Sequence, residues 1–399
     1  MIFCSRLACN ASVPTTQKPL AIYIHWPFCV SKCPYCDFNS HVREQIDPQS
    51  WSQAYYTDLR NQSQFATNHQ VQSIFFGGGT PSLMPPSIIE EVVTHIHKIW
   101  PVASTVEITM EANPHSSEIN KFQSFQAAGI NRISLGIQSL IPETLKFLGR
   151  AHSKQEALKA IEMAQKIFET HSLDFIYAHP KHTPEEWQKE LKELLSFQPP
   201  HLSLYQLTIE PQTPFQSYER LGKFKMPGSL ASEKFFDETI DTLKSTGYEQ
   251  YEVSNFSKPN KACQHNMAYW RSEDYLGIGP GAHGRYTKNN FKVATRAHRS
   301  PEKWLELIKS KGCALTHQDQ LTREELLEEM LLMGLRLTSG ISTAKLNQVI
   351  ACDFWEYVGP PKKTHLYSEG LLEKTDGFLK TTALGLKKLN TVLSYLLIR

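Results

Sequence analysis

The sequence has almost no net charge, few cysteines and no long apolar run. Its 42 basic and 40 acidic residues give a net charge of +2 over 399 residues, so no overall field draws the chain to nucleic acid or to an anionic membrane. Eight cysteines are too sparse for a disulfide framework. No stretch approaches the roughly 20 apolar residues of a membrane span, and no signal peptide is recognisable. These absences predict a cytoplasmic protein with no transmembrane segment and no nucleic-acid partner.

What the chain does contain is a repeat of strand-like and helix-like segments. Amphipathic stretches of helical period separate six apolar runs with strand character, at 21–25, 73–76, 105–110, 131–138, 172–177 and 201–208. A spacing of roughly 30 residues is typical of βα units with a parallel sheet. In the third run apolar and polar residues alternate, so one face is expected to meet helices and the other to line a lumen. We therefore predict an α/β fold, an open (β/α)6 barrel.

The βα rhythm stops after Gly284, and the rest of the chain predicts a smaller domain. Segments 321–338, 342–350 and 383–397 have helical patterns, and Asp376-Gly377 between two short apolar runs is a hairpin-turn signal. The predicted domains are a disordered N-terminus at 1–20, the barrel at 21–285, and a helical, winged-helix-like domain at 286–399. Basic residues are scattered in the last domain, which favours a structural or protein-docking role over DNA binding.

Three cysteines lie close together in one short segment. Cys29, Cys33 and Cys36 have C-x3-C-x2-C spacing, which would also suit the apolar face of a helix. Pro27 and Pro34 favour a loop instead, because proline lacks a backbone donor and pushes the preceding residue out of the helical region. Zinc normally takes four protein ligands, and no second pair with zinc spacing occurs. The pattern therefore favours a [4Fe–4S] cluster with one open iron over a zinc or purely structural thiol site.

This segment resembles the signature of the radical S-adenosylmethionine (SAM) superfamily, including the aromatic residue Tyr35 before the last cysteine. The resemblance implies that SAM chelates the open iron and that the reduced cluster splits it into methionine and a 5′-deoxyadenosyl radical. The segment 77–81, Gly-Gly-Gly-Thr-Pro, follows the second predicted strand and matches the family motif for the SAM amino group. Glycines would let the backbone approach a ligand closely. A phosphate-binding loop would need a G-K-[ST] ending, which is absent.

Over nearly the whole chain the sequence resembles the coproporphyrinogen III oxidase-like (HemN/HemW) branch of that superfamily. The resemblance implies SAM contacts, some to a second SAM, at Tyr23, Tyr35, Gly78, Gly79, Thr80, Glu111, Gln138, Arg150 and Asp174. Glu111 and Gln138 end predicted strands on the lumen face, which supports a site role, whereas single charged residues are more often solvated or paired. Relatives read approximately GLPGQT where this chain reads AHPKHT at 178–183. We expect these side chains to crowd the pocket or to alter SAM binding.

Two features separate the functions within this branch. Phe38 occupies the position of a fourth cysteine of the dehydrogenase, and only 28 residues precede Cys29, which together favour the heme chaperone type. Segment 265–270 matches the HNxxYW motif associated with heme binding. Its imidazole could ligate iron and its rings could stack on a porphyrin, although a lone histidine beside aromatic residues is more often part of the core. The motif residues are His265, Asn266, Tyr269 and Trp270.

Three functional hypotheses follow. The preferred one is a heme chaperone that binds a [4Fe–4S] cluster, SAM and heme, receives electrons from a donor and passes heme to an acceptor protein. The second is an oxygen-independent coproporphyrinogen III dehydrogenase, which removes hydrogen atoms from propionate side chains to drive oxidative decarboxylation. The third is a radical SAM enzyme that modifies nucleic acid through the C-terminal domain, and no basic stripe supports it.

Overall fold

The computed structural model describes residues 17–43 and 46–397. Its central feature is a twelve-stranded mixed sheet with the order β14-β13-β12-β11-β1-β4-β5-β6-β7-β8-β10-β9. Two further short strands, β2 and β3, pair beside it. The strands up to residue 320 are β1 (Lys18–Trp26), β2 (Phe28–Cys29), β3 (His41–Val42), β4 (His69–Gly78), β5 (Val102–Ala112), β6 (Arg132–Gln138), β7 (Thr170–Tyr177), β8 (His201–Gln206), β9 (Glu249–Gln250), β10 (Asn255–Ser257), β11 (Asp274–Ile278), β12 (His283–Lys288), β13 (Phe291–Ala297) and β14 (Leu315–Gln320).

Helices connect the parallel strands. They are α1 (Pro48–Gln62), α2 (Pro86–Ile99), α3 (Ser116–Ile119), α4 (Phe122–Ala127), α5 (Pro142–Phe147), α6 (Lys154–Ile167), α7 (Pro184–Ser196), α8 (Pro214–Arg220), α9 (Ser229–Ser245), α10 (Gln264–Trp270) and α11 (Pro301–Lys311), with short 3₁₀ segments at Ser63–Phe65 and Pro81–Leu83. Local chemistry starts several of them. The side chains of Ser153 and Thr183 each accept a backbone hydrogen bond at the start of α6 and α7, and a glutamate three residues later completes a capping box.

The six predicted strands are confirmed as β1 and β4 to β8, which pair in parallel in chain order. The predicted alternation in the third strand is also present. Ile108 and Met110 of β5 are buried in the main core, whereas Glu111 opens onto the central cavity. Since βα units place helices outside and polar strand residues inside, the α/β barrel prediction is confirmed for this part of the chain.

The sheet extends further than the sequence pattern indicated. β11 pairs in parallel with the other side of β1, and β12, β13 and β14 continue in antiparallel order. The predicted domain limit at residues 285 and 286 therefore falls inside strand β12. Because these strands share the hydrogen-bonded sheet and the main core, we propose that the first domain continues to residue 320.

The first strand begins at Lys18, so the predicted disordered segment 1–20 is wrong for its last three residues. The reason is pairing, because Lys18 and Pro19 lie beside His69 and Gln70 of β4. Residues 1–16 lie outside the described residues.

The C-terminal domain has its own core. Its elements are α12 (Arg323–Gly334), β15 (Ile341–Ser342), α13 (Thr343–Ile350), α14 (Phe354–Val358), α15 (Pro360–Ser368), β16 (Leu372–Thr375), β17 (Phe378–Thr381), α16 (Ala383–Lys387) and α17 (Leu389–Leu397). β16 and β17 form the predicted hairpin, with Gly377 at φ 77°, and β15 completes a three-stranded sheet. The predicted final helix is broken at Lys388. Helices with a three-stranded hairpin sheet agree with the winged-helix-like prediction.

Ion pairs tie the C-terminal domain to the barrel. Arg285 of β12 donates through Nε and Nη2 to the carboxylate of Glu329 of α12, with a shortest distance of 2.6 Å. Arg336 lies 3.0 Å from the buried carboxylate of Glu252. Within the described residues, no helix is long and apolar enough to cross a membrane.

Candidate functional site

A cavity of about 1410 Å³ opens where the parallel strands end. This is the end of an α/β barrel at which ligands bind, since the loops after the strands converge there. The cysteine loop, the ends of β5 to β8, helix α9 and residues 386–391 of the C-terminal domain surround it. The sequence-predicted residues that line it are Cys29, Cys33, Tyr35, Cys36, Gly79, Thr80, Glu111, Gln138, Arg150 and Asp174.

The three cysteines lie on a loop that begins at β2, and all three thiols are free of disulfides. The backbone amide of Cys36 donates to the carbonyl of Cys33 over 3.1 Å, which forms a tight turn. Burial raises the pKa values of the Cys29 and Cys36 thiols. Metal binding would reverse this effect, because a bound metal ion stabilises the thiolate.

The surroundings of the thiols suit a [4Fe–4S] cluster, in which each thiolate takes its own iron. Hydrogen-bond donors point at two of the sulfur atoms, with Thr80 Oγ1 3.3 Å from Cys29 Sγ and Arg150 Nη1 3.6 Å from Cys33 Sγ. Donors in these positions suit thiolates.

The glycine triplet packs closely against residues of β1 and β2. A Cβ atom on Gly78, which has φ 116°, would lie 2.6 Å from the ring of His25, and one on Gly79 would lie 2.7 Å from the carbonyl oxygen of Phe28. The amides of Gly78 and Gly79 already donate to Glu111 and to Trp26. The glycines are therefore required by close packing on β1 and β2, and the amides of Gly78 and Gly79 are engaged within the protein.

Two carboxylates face the cavity, Glu111 from β5 and Asp174 from β7, the strands on either side of β6. Burial, and then the nearby charge of Asp174, raises the pKa of Glu111 to about 8. Burial also raises the pKa of Asp174, although the hydroxyls of Ser134 and Ser172 donate to it over 2.8 and 3.0 Å. A cationic ligand between these groups would favour their ionised forms.

Arg150 and Gln138 line the same cavity and lie close to Gly136 of β6. The Arg150 guanidinium donates to Asn113 over 2.5 Å and to the carbonyl of Gly136 over 3.0 Å, besides its contact with Cys33. Gln138 ends β6 in the left-handed region at φ 66°. A non-glycine residue in this region carries local strain, which is common beside ligand sites.

Two of the predicted SAM residues, Tyr23 and Gly78, do not line the cavity. The Tyr23 ring stacks on Phe75, and its hydroxyl lies 3.0 Å from Nδ1 of His25. Burial, followed by the charge of Glu111, holds the Tyr23 pKa far above its usual value. Tyr23 thus supports the floor beneath Glu111.

The predicted heme motif lies on α10, away from the cavity lining. His265 is 1% exposed, with Nδ1 3.0 Å from Ser73 Oγ and Nε2 2.9 Å from the hydroxyl of Tyr269. Burial lowers its pKa to about 3, so the ring is neutral at physiological pH. Trp270 packs under the guanidinium of Arg336, at 4.6 Å. In this conformation neither ring nitrogen of His265 is free to bind iron.

The segment at 178–183 has a left-handed backbone at two positions. Ala178 and Lys181, at the two positions where relatives carry glycine, have φ 55° and 63°. His179 and His182 stack at 4.0 Å and are buried away from the cavity, with His182 5.2 Å from the ring of Phe235. None of residues 178–183 lines the cavity. The expectation that these side chains crowd the pocket is therefore wrong.

Sequence reasoning missed several cavity residues, above all Asn113, Ser134 and Tyr205. A signal was available for Asn113, because it stands two residues after Glu111 and strand alternation puts both on one face. Ser134 holds Asp174, and Tyr205 exposes 43% of its surface at the end of β8. No local pattern marks these last two residues.

Comparison with known proteins identifies the family. A model of the radical SAM superfamily matches residues 23–194, and a model of the HemN C-terminal domain matches residues 321–386. The heme chaperone HemW of Escherichia coli (strain K12) is 41% identical over 291 residues, which are 72% of this chain and 76% of that protein. The chain belongs to the radical SAM superfamily. Membership in it implies SAM and a [4Fe–4S] cluster.

Within the radical SAM superfamily, the chain falls in the HemN/HemW branch. The mitochondrial radical S-adenosyl methionine domain-containing protein 1 of Danio rerio is 35% identical over 342 residues, which are 84% of this chain and 77% of that protein. The structure of coproporphyrinogen III oxidase (HemN) from Escherichia coli matches 95% of this chain and 90% of its own, with a TM-score of 0.80 at 21% identity. That likeness shows a shared fold. The matched HemN C-terminal domain begins directly after β14.

Proposed function

We propose that the protein is a heme chaperone of the HemW type, which binds a [4Fe–4S] cluster and SAM and passes heme to an acceptor protein. The observation that carries the proposal is the 41% identity to a HemW over most of that protein's length. Phe38 supports it, since this side chain lies at the cavity where the dehydrogenase type has a further cysteine.

In this proposal Cys29, Cys33 and Cys36 hold the cluster at the cavity mouth. A cluster held there would supply one-electron chemistry beside the SAM site. Glu111 and Asp174 attract the positively charged groups of SAM, because both carboxylates are buried and open only to the cavity. Carbonyl groups of the glycine loop accept hydrogens from its amino group, since two of the loop amides are already engaged within the protein.

The remaining predicted contacts keep narrower roles. Thr80 and Arg150 donate hydrogen bonds to the cysteine sulfurs. Gln138 and Tyr35 offer an amide and an aromatic ring to the ligand. Tyr23 and Gly78 do not line the cavity, so their proposed role is positioning. The amide of Gly78 orients the carboxylate of Glu111, and Tyr23 packs beneath the cavity.

Heme binding through the motif at 265–270 requires a change of conformation. Ligation by His265 requires that Nε2 leaves the hydroxyl of Tyr269, or that Nδ1 leaves Ser73. Helix α10 must then move away from β4, because the ring stacks on Phe75 at 4.9 Å. Asn266 and Trp270 remain proposed contacts of the same site.

The proposed cellular compartment and partners follow from the cofactors. Reduced thiols are needed to hold the cluster, so we propose a reducing compartment, the cytoplasm. The partners are an electron donor and a heme-accepting protein.

The test combines two assays on anaerobically reconstituted protein with verified iron and sulfide content. We expect heme to bind, with a shifted Soret band, and to move to an added apo-protein acceptor. Incubation with coproporphyrinogen III, SAM and a reductant should give no protoporphyrinogen IX. Formation of this product over many turnovers would overturn the chaperone assignment in favour of the dehydrogenase.

The role of His265 is tested with a matched control. His201 is also buried, and its ring nitrogens likewise contact a serine and a tyrosine, Ser172 and Tyr251. If His265 is a heme ligand, His265→Ala alters the Soret spectrum and weakens heme binding, whereas His201→Ala does not. Equal spectra and affinities for the two variants would mean that heme is held elsewhere.

A further inference from the structure

We propose that Asn113 is a positioning residue that joins two cluster-ligating thiols, Cys29 and Cys33, into one hydrogen-bond network and thereby raises the reduction potential of the cluster. This inference rests on the proposed function in one respect, namely that the cysteine loop holds a cluster. Asn113 follows β5 and lies at the cavity wall, half-way between the glycine loop and the loop of Arg150.

One arm of the network leads to Cys29. The side-chain amide nitrogen of Asn113 donates to Thr80 Oγ1 over 3.3 Å. The Thr80 hydroxyl in turn donates its single hydrogen to Cys29 Sγ, also over 3.3 Å. Thr80 and Cys29 are only 7% and 8% exposed, so water competes little for these contacts. A hydroxyl that already accepts a hydrogen bond is a stronger donor to the sulfur.

The other arm leads to Cys33. The amide oxygen of Asn113 accepts from Arg150 Nη2 over 2.5 Å, and Nη1 of the same guanidinium lies 3.6 Å from Cys33 Sγ. Arginine can only donate, which fixes the orientation of the Asn113 amide with its nitrogen toward Thr80. Gly149 brings this arm close, because its φ is 67° and a Cβ there would lie 2.7 Å from Pro34 on the cysteine loop.

Asn113 is itself held in place. Its backbone amide donates to Glu118 Oε2 over 3.0 Å, and the hydroxyl of Ser82 donates to the same oxygen. Because Ser82 lies in the 3₁₀ turn that follows Thr80, Glu118 links the backbone of Asn113 to the same segment that its side chain binds directly. A single neutral residue thus orients both donors to the thiols.

The consequence is electrostatic. Reduction adds one negative charge to the cluster, and hydrogen bonds to cysteinyl sulfur stabilise the more negative state. Without Asn113 the Thr80 hydroxyl and the Arg150 guanidinium lose their common anchor. The midpoint potential is then expected to fall, even though no cluster ligand has changed.

The test is a redox titration of the cluster by electron paramagnetic resonance, on SAM-free protein with verified iron and sulfide. Asn113→Leu should lower the midpoint potential relative to the parent protein. The matched control is Asn131→Leu, since the Asn131 amide also bridges two backbone groups, of Val106 and Ile108, far from the cluster loop. This control should leave the potential unchanged.

Variants of Thr80 provide a second test, which applies even if Asn113→Leu does not bind a cluster. Thr80→Val removes the hydroxyl and should lower the potential, whereas Thr80→Ser keeps the donor and should restore the parent value. Parent potentials in both Asn113→Leu and Thr80→Val, with full cluster content, would overturn the inference. Absence of a cluster in the parent protein would instead refute the proposed function, so the two failures are distinguishable.

Discussion

The carboxylate of Glu111 accepts a hydrogen bond from the backbone amide of Gly78 over 3.2 Å, which joins the end of β5 to the glycine loop after β4. This contact orients an acid whose pKa burial and Asp174 raise to about 8. The ligand-free carboxyl is therefore largely protonated at pH 7. SAM is a cation at its sulfonium, and binding it favours the ionised form.

We predict that SAM affinity rises between pH 7 and pH 9 by more in the parent protein than in Glu111→Gln. The sign follows from linkage, because binding a cation releases the Glu111 proton and is therefore favoured at higher pH. At pH 9 the variant should bind more weakly by about 1–3 kcal/mol, the worth of a buried polar contact. Titration of both proteins measures the difference, in which the titration of SAM itself cancels. Identical pH profiles would remove Glu111 from the site.

We predict that Cys33→Ala abolishes the [4Fe–4S] cluster, because only two loop thiolates remain to hold it. Iron and sulfide analysis with the visible absorption spectrum of anaerobically reconstituted protein provides the measurement. Cys352→Ala is the matched control, since Cys352 is an exposed thiol of the C-terminal domain. A full cluster with an unchanged spectrum in Cys33→Ala would contradict the assignment of the ligands.

We predict that His182→Leu leaves the free energy of unfolding unchanged or increases it. Both ring nitrogens of His182 are buried without a hydrogen-bond partner, which costs about 1–3 kcal/mol. His201→Leu should instead destabilise by a similar amount, because it removes the hydrogen bonds that the ring makes with Ser172 and Tyr251. Urea unfolding of both variants compares them, and an equal loss in each would show that His182 has a partner after all.

We predict that Lys181→Gly stabilises the protein by up to about 1 kcal/mol. The left-handed conformation of Lys181 costs a non-glycine residue about 1–2 kcal/mol. Glycine avoids this cost but loses more backbone entropy on folding, which offsets about 0.5–1 kcal/mol of the gain. Lys189→Gly, in the middle of α7, should destabilise by about 1 kcal/mol. Chemical denaturation gives both values. A loss of stability in Lys181→Gly would show that its side chain makes a contact of greater worth.

The sequence by itself determined the features that depend on neighbouring residues. Six apolar runs between amphipathic stretches gave the six parallel strands, and alternation in the third run gave the inward face of Glu111. The cysteine spacing with two prolines gave the loop at Cys29, and Asp376-Gly377 gave the hairpin of the C-terminal domain. These patterns are local, because backbone sterics and side-chain alternation act over a few residues.

Only the tertiary structure decided which groups meet. Ser73 and Tyr269 occupy both ring nitrogens of His265, and Ser73 lies 192 residues away along the chain. The added strands β11 to β14 and the bridge from Asn113 to the two thiols likewise depend on pairing between distant segments. A residue type determines what its side chain can bind, but packing decides which partner it meets, since a hydrogen bond forms only with a group that the fold brings within about 3 Å.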